Sequence, residues 1–246
     1  MHRVIIVLLL TVCFWAEAAL SAELEVITEN HPPFSYVENR AVSGFATEIV
    51  LEMMELSGLP LHRNEIQLWP WLRGFNALKN RDNILLYTVA RTLEREDQFQ
   101  WVGPIYRVKQ CILALADSEL ENFDPNDFTK LRIGTLRGGA SEKILFSSGI
   151  PLGRIERVHD PELNIKKMLK GRLDAIAFDE LAVRYMLLSL GHDPQEIKIL
   201  RQYSSVDYYI ALSNKVDSHV VERLQASLDY LKASGRVDKI IENYMN

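Results

Sequence analysis

From Leu24 onward the chain alternates apolar runs of four to eight residues with segments whose apolar residues recur at helical spacing, and this rhythm restricts it to α/β architectures with mostly parallel strands. "LEVIT" (24–28) reads as a strand and "FATEIVLEMMELSG" as a helix, with Phe45, Ile49, Met53 and Leu56 on one face and Gly58 as its stop. "NEIQL", the helix "WLRGFNALKN" and the strand "NILLYTV" follow. The second half repeats the pattern: strand "LRIGTL", helix "ASEKILFSSG", strand "RIERV", then a helix capped by Asp160, opened by Pro161 and closed by Gly171. "RLDAIAF" reads as a strand, "DELAVRYMLLSLG" as a helix, "EIKIL" and "VDYYIAL" as two further strands, and Asp217 to Met245 as helical. The polar stretch "DSELENFDPNDFTK" near the middle is where composition alone would put a boundary between two α/β lobes.

Residues 1–22 have a short basic start, an apolar run from Val4 to Trp15 and then small residues, the layout of a cleavable secretory signal ending after Ala18 or Ala22. Past it only Cys111 remains, inside "CILALA", so no disulfide framework is available and a buried thiol is expected. Export without disulfides fits a bacterial periplasm. The net charge of −5, with Lys and Arg spread along the chain, argues against a nucleic-acid partner. None of the six histidines forms a pair at metal-ligand spacing, HExxH and GxSxG are absent, and "LRGGAS" lacks the lysine of a phosphate loop; no metal or cofactor is expected.

Four features could carry binding. Gly138 and Gly139, between a strand and a helix start, suit either a tight turn or a nest of backbone N–H groups for a carboxylate. Arg91 and Arg95 lie just past a strand end, where open α/β sheets bind ligands; they could fork onto a carboxylate or pair with Glu94, Glu96 and Asp97 in a solvated turn. Asp179 ends an apolar strand at a helix start, and could cap that helix or hold an ammonium group. Phe34, Tyr36, Trp69 and Trp71 follow strand ends, as core aromatics or as cleft walls. His31, in "HPPFSY", reads as a loop residue or a ligand contact.

Taken in order, "LEVITENHPPFSY", "GFATEIVLEMMELSG", "TLERE..F.WVGPIY", "LRIGTLRGG", "GRLDAIAFDELAV" and "LKASGRVDKIIENYMN" resemble the bacterial extracellular solute-binding proteins of family 3, from about Leu24 to the C-terminus. The resemblance implies a two-lobed periplasmic-binding-protein fold of type II. Lobe 1 would be built from 24–108 plus 206–246 and lobe 2 from 109–205, with a ligand cleft between them and crossings near 106–109 and 203–207. It also implies a monomer that captures a small polar ligand, an amino acid in most of the family, and hands it to an inner-membrane ABC permease or signals through a membrane sensor. A dehydratase acting on cyclohexadienyl substrates is the enzymatic alternative on the same fold, with Glu180 or Glu29 as its acid.

Residue by residue, the resemblance assigns Arg95 to the ligand carboxylate, Asp179 to the ammonium, Glu29 to the position after the first strand, and Phe34 to the pocket border. Gly139 and Ala140 fall at the helix start that faces the carboxylate, and Trp71 is expected on the cleft. Three departures stand out: Leu93 replaces a proline, while Ala90 and Phe178 stand where hydroxyl residues are usual. Arg91 and Arg137 would offset the missing donors or mark a more acidic ligand.

Overall fold

The structure is a computed structural model that describes residues 24–118, 120, 124 and 127–245. The expected signal segment lies outside the described residues. Ten strands and seven helices follow in the order β1 (Glu25–Thr28), β2 (Tyr36–Glu38), β3 (Ala41–Ser43), α1 (Phe45–Leu56), β4 (Gln67–Leu68), α2 (Trp71–Asn80), β5 (Ile84–Ala90), β6 (Phe99–Leu115), β7 (Ile133–Leu136), α3 (Ala140–Ser147), β8 (Ile155–Val158), α4 (Pro161–Leu169), β9 (Ala175–Asp179), α5 (Glu180–Ser189), β10 (Ile197–Ser213), α6 (Ser218–Ala233) and α7 (Arg236–Met245) among the described residues.

Local chemistry accounts for most of these bounds. Helix α1 buries Phe45, Ile49, Val50, Met53 and Met54, the apolar stripe at i, i+4 and i+8 with its neighbours. Helix α4 starts where Asp160 Oδ1 accepts the Glu162 N–H at 3.1 Å and Pro161 occupies the first helical position. Strand β5 is buried throughout because helices cover both faces: Leu85 and Tyr87 pack with the α1 cluster, and Ile84, Leu86 and Val89 with the α2 cluster.

The strands form one sheet in the order β4-β1-β5-β10-β6-β9-β7-β8, plus the β2-β3 hairpin. Its two flanks are parallel, β4-β1-β5 on one side and β9-β7-β8 on the other, each covered by helices. The long antiparallel strands β6 and β10 join them. β10 pairs with β5 from Tyr208 to Leu212, with one further bond from the Arg91 N–H to the Asp207 carbonyl, and β6 pairs with β9 from Gln110 to Leu113. Between those contacts Arg107 to Lys109 pair only with Ser205 to Asp207, and Arg107 Nε and Asp207 Oδ1 close the rung with an ion pair at 2.7 Å.

Two expectations are corrected. "EIKIL" and "VDYYIAL" belong to one strand, β10; the polar residues Arg201, Gln202, Ser204 and Ser205 between them are held by backbone pairing to β6, which hydrophobic pattern does not report. The polar segment after Leu115 is not a boundary between lobes. It connects β6 to β7, and both of these strands pair with β9.

Candidate functional site

A small cavity of about 30 Å³ lies between the two flanks, where the ends of β1, β5 and β9 approach the start of α3. Its walls come from Glu29, His31, Trp71, Thr88, Ala90 and Arg95 on the first flank, from Leu136, Gly139, Ala140, Ser141 and Phe178 on the second, and from Gln110 and Tyr208 on the long strands. Such a volume holds about one water molecule. The flanks are closed upon it: Trp71 Nε1 donates to the Gly138 carbonyl at 2.9 Å, the Tyr36 and Tyr185 hydroxyls meet at 3.1 Å, and Lys143 pairs with Glu94.

The turn after β1 builds one wall. The His31 N–H donates to the Ser35 carbonyl at 2.6 Å, and the Phe34 and Ser35 N–H groups donate back to the His31 carbonyl. Thr28 Oγ1 donates to Ser35 Oγ, which donates to the Glu29 carbonyl, both at 2.9 Å. The Ala46 and Thr47 N–H groups reach the Phe34 carbonyl. That approach requires glycine at position 44, because a Cβ there would overlap the Phe34 backbone, and φ is +114°. The Phe34 ring is therefore driven inward, against Phe45, Tyr106 and Tyr208.

Three ionisable groups converge here, Glu29 and His31 from the turn itself and Asp179 from the end of β9. His31 Nε2 bonds Asp179 Oδ2 at 2.6 Å, and its Nδ1 lies 3.9 Å from Glu29 Oε1. Burial pulls the His31 pKa down, but the charge and hydrogen bond of Asp179, together with Glu29, outweigh it and raise the pKa above its ordinary value. Burial raises the Glu29 carboxyl to about 7, with His31 and Arg95 opposing and Asp179 adding to the rise. Asp179 also accepts the Tyr208 hydroxyl on Oδ2 at 3.2 Å and, as N-cap of α5, the Ala182 N–H on Oδ1 at 2.8 Å. Gln110 Nε2 donates to the Tyr208 oxygen and Ser141 Oγ donates to Gln110 Oε1, extending the network to α3. Among the described residues no group of three or more His, Cys, Asp or Glu could hold a metal ion.

Arg95 is only 3% exposed. Its Nη1 donates to the Ala90 carbonyl at 3.1 Å, and its guanidinium lies over the rings of Phe75 and Trp71, 4.7 and 5.2 Å from their centroids. No carboxylate among the described residues comes within ion-pair distance of it. Beside it Thr88 has φ +64°, rare for a β-branched residue, at the place where the pairing of β5 with β10 shifts register. The bulge turns Thr88 onto the cavity wall. Helix α3 begins at Ala140 with no side chain from its N-cap residue capping it, and Gly139, Ala140 and Ser141 at its start line the same space.

Of the expected site residues, Glu29, Trp71, Arg95, Gly139 and Ala140 line the cavity, and Asp179 lies directly behind His31. Phe34 is a core residue rather than a wall: it is fully buried, and it packs at 4.8 Å against the His31 ring, which lines the cavity where Phe34 does not. Arg91 is off the cavity: Nε bonds Glu96 Oε2 at 2.7 Å, and the guanidinium lies over Tyr209. Arg137 is exposed. Both arginines took the ordinary solution for a charged turn residue, a partner at the surface or water. The sequence reading missed Thr88, Gln110, Ser141 and Tyr208 as cavity residues and left His31 open. Only His31 carried a signal, its place between a strand end and two prolines.

The family model for bacterial extracellular solute-binding proteins, family 3, matches residues 24–246. A protein of Neisseria gonorrhoeae named probable histidine-binding protein is 24% identical over 219 residues, covering 86% of this chain and 78% of that protein. Among solved structures, the P235GK mutant of ArgBP from T. maritima is similar with a TM-score of 0.77 at 21% identity, over 91% of this chain and 95% of that one. A histidine kinase sensor domain with similarity to periplasmic binding proteins also gives 0.77, at 18% identity over 92% and 97% of the two chains.

Proposed function

The chain belongs to the bacterial extracellular solute-binding proteins of family 3, and from that premise we propose that it captures a small carboxylate-bearing solute, an amino acid or a close analogue of one, by closing two lobes around the cavity. The observation that carries this reading is Arg95, a buried guanidinium without a carboxylate partner among the described residues. An unpaired buried charge is costly, and an anion arriving from solvent would remove that cost. A carboxylate set bidentately on Arg95 would also meet the first amides of α3, with Trp71 and Phe178 as apolar walls. The names of the curated relatives favour an amino-acid-sized ligand.

In this reading the lobes are 24–108 plus 206–246 and 109–205, hinged where β6 and β10 pair only with each other. The protein acts in the periplasm as a monomer, without chemistry of its own, and presents its closed form to an ABC permease; the likeness to a sensor domain makes a membrane signalling partner the second candidate. The raised pKa of Glu29 is what a dehydratase acid would need, and incubation with prephenate or arogenate, read as phenylpyruvate or phenylalanine, tests that alternative.

A thermal-shift screen of amino acids, small carboxylic acids and small amines tests the central reading. Carboxylates should raise Tm and simple amines should not, and Arg95→Ala should abolish the shift given by the best ligand. A shift that survives Arg95→Ala unchanged would remove Arg95 from the site.

A further inference from the structure

Asp179 is the carboxylate that the resemblance assigns to a ligand ammonium, and in this chain it is already occupied. Oδ1 accepts the Ala182 N–H at 2.8 Å, and Oδ2 accepts from His31 Nε2 at 2.6 Å and from the Tyr208 hydroxyl at 3.2 Å. His31 is not free to swing away. Its ring packs against Phe34, Phe178 and Tyr208 at centroid distances of 4.8, 5.1 and 5.4 Å, and its backbone is bonded within its own turn. The opposite ring nitrogen, Nδ1, is buried with no hydrogen-bond partner. Glu29 Oε1, at 3.9 Å, is too far to serve as one.

We propose that His31 stands in for the ligand ammonium on Asp179, so that the cavity selects a carboxylate whose second carbon bears an oxo or hydroxyl oxygen in place of the amino group. This inference rests on the carboxylate reading of Arg95. The bond to Asp179 on one side and the Glu29 carboxyl on the other favour His31 as an imidazolium, in which both ring nitrogens are donors. Nδ1–H then lacks an acceptor, and an oxo or hydroxyl oxygen on the ligand supplies one. An ammonium in the same place would bring a third donor and a second positive charge against the imidazolium, with Asp179 already taken and the Glu29 carboxyl shifted toward its neutral form by burial. The charge inventory agrees. Asp179 is balanced by His31 and burial shifts Glu29 toward its neutral form, which leaves Arg95 without a full counter-charge and favours a monoanion over a zwitterion.

The test compares matched acids on the wild-type protein by thermal shift and then titration calorimetry: alanine with pyruvate and lactate, glutamate with 2-oxoglutarate and 2-hydroxyglutarate, and histidine with imidazolepyruvate and imidazolelactate. In any set that binds, the oxo or hydroxy acid should bind at least about ten-fold more tightly than its amino acid, the size expected when a charged-group hydrogen bond is gained on one side and lost on the other. In His31→Ala, which frees Asp179, the order should reverse. An amino acid that binds the wild type as tightly as both its analogues would overturn the inference and leave the carboxylate reading intact. An order that fails to reverse in a folded His31→Ala variant would remove the role from His31. If no acid of any set shifts Tm, the carboxylate reading falls and takes this inference with it. Should His31→Ala not fold, the wild-type comparison remains decisive.

Discussion

Glu29 and Asp179 share a buried turn with His31, yet burial treats the two carboxylates differently. Asp179 is bonded through both oxygens, while Glu29 sits 3.9 Å from the nearest imidazole nitrogen and is raised from an ordinary 4.5 to about 7. An acid whose folded pKa lies above its unfolded value binds more protons in the native state, so stability falls as pH rises between those two values. The shift from 4.5 to about 7 corresponds to about 3 kcal/mol across that window. Glu29→Gln should flatten the decline, read as urea midpoints measured from pH 4.5 to 7.5. His31, also raised, adds stability that is full below pH 6.5 and is lost as pH climbs through its folded value, so a shallower decline should persist in Glu29→Gln. Asp179→Asn leaves the imidazolium without its counter-charge and should cost about 3–5 kcal/mol in urea unfolding at pH 6. Arg95 and Asp179 were legible because each stands at a strand exit within a recognisable run. His31 was legible only as a candidate, from the two prolines after it, because its burial is decided by a partner 148 residues away.

Among the elements, the start of α3 is where closure is most sharply constrained. Gly138 has φ +74°, and a Cβ there would overlap Leu72 at the start of α2, while its carbonyl accepts Trp71 Nε1. Gly138→Ala should therefore cost about 1 kcal/mol of backbone strain in the fold and, by pushing Leu72 away, disfavour the closed form. Calorimetry should show at least about five-fold weaker ligand binding, in addition to a loss of about 1 kcal/mol in unfolding free energy. Helices α1, α2, α4 and α5 were readable from period and caps, because those signals are local. The continuity of β10 was not, since its polar centre is held by the β6 ladder and not by burial of its own side chains. The bulge at Thr88 was equally silent, because nothing in "YTVAR" marks a left-handed threonine.

Across the whole molecule, the first flank of the sheet is assembled from both ends of the chain, with β1, β4 and β5 meeting the final stretch of β10 and helices α6 and α7 covering them. Hydrophobic pattern reported the α/β class but not this return, and the polar segment after Leu115 pointed to the wrong boundary. Only the order of several motifs along the chain carried the two-lobed arrangement. The cavity is a product of that return. Arg95 and His31 come from the first flank, Asp179 and the α3 amides from the second, and Tyr208 from the strand that runs between them. The most direct test is a crystal structure of the protein with the carboxylate that gives the largest thermal shift. The ligand should lie between the flanks with both carboxylate oxygens about 2.7–2.9 Å from the Arg95 guanidinium nitrogens. A ligand bound elsewhere, with Arg95 still bonded only to the Ala90 carbonyl, would contradict the account.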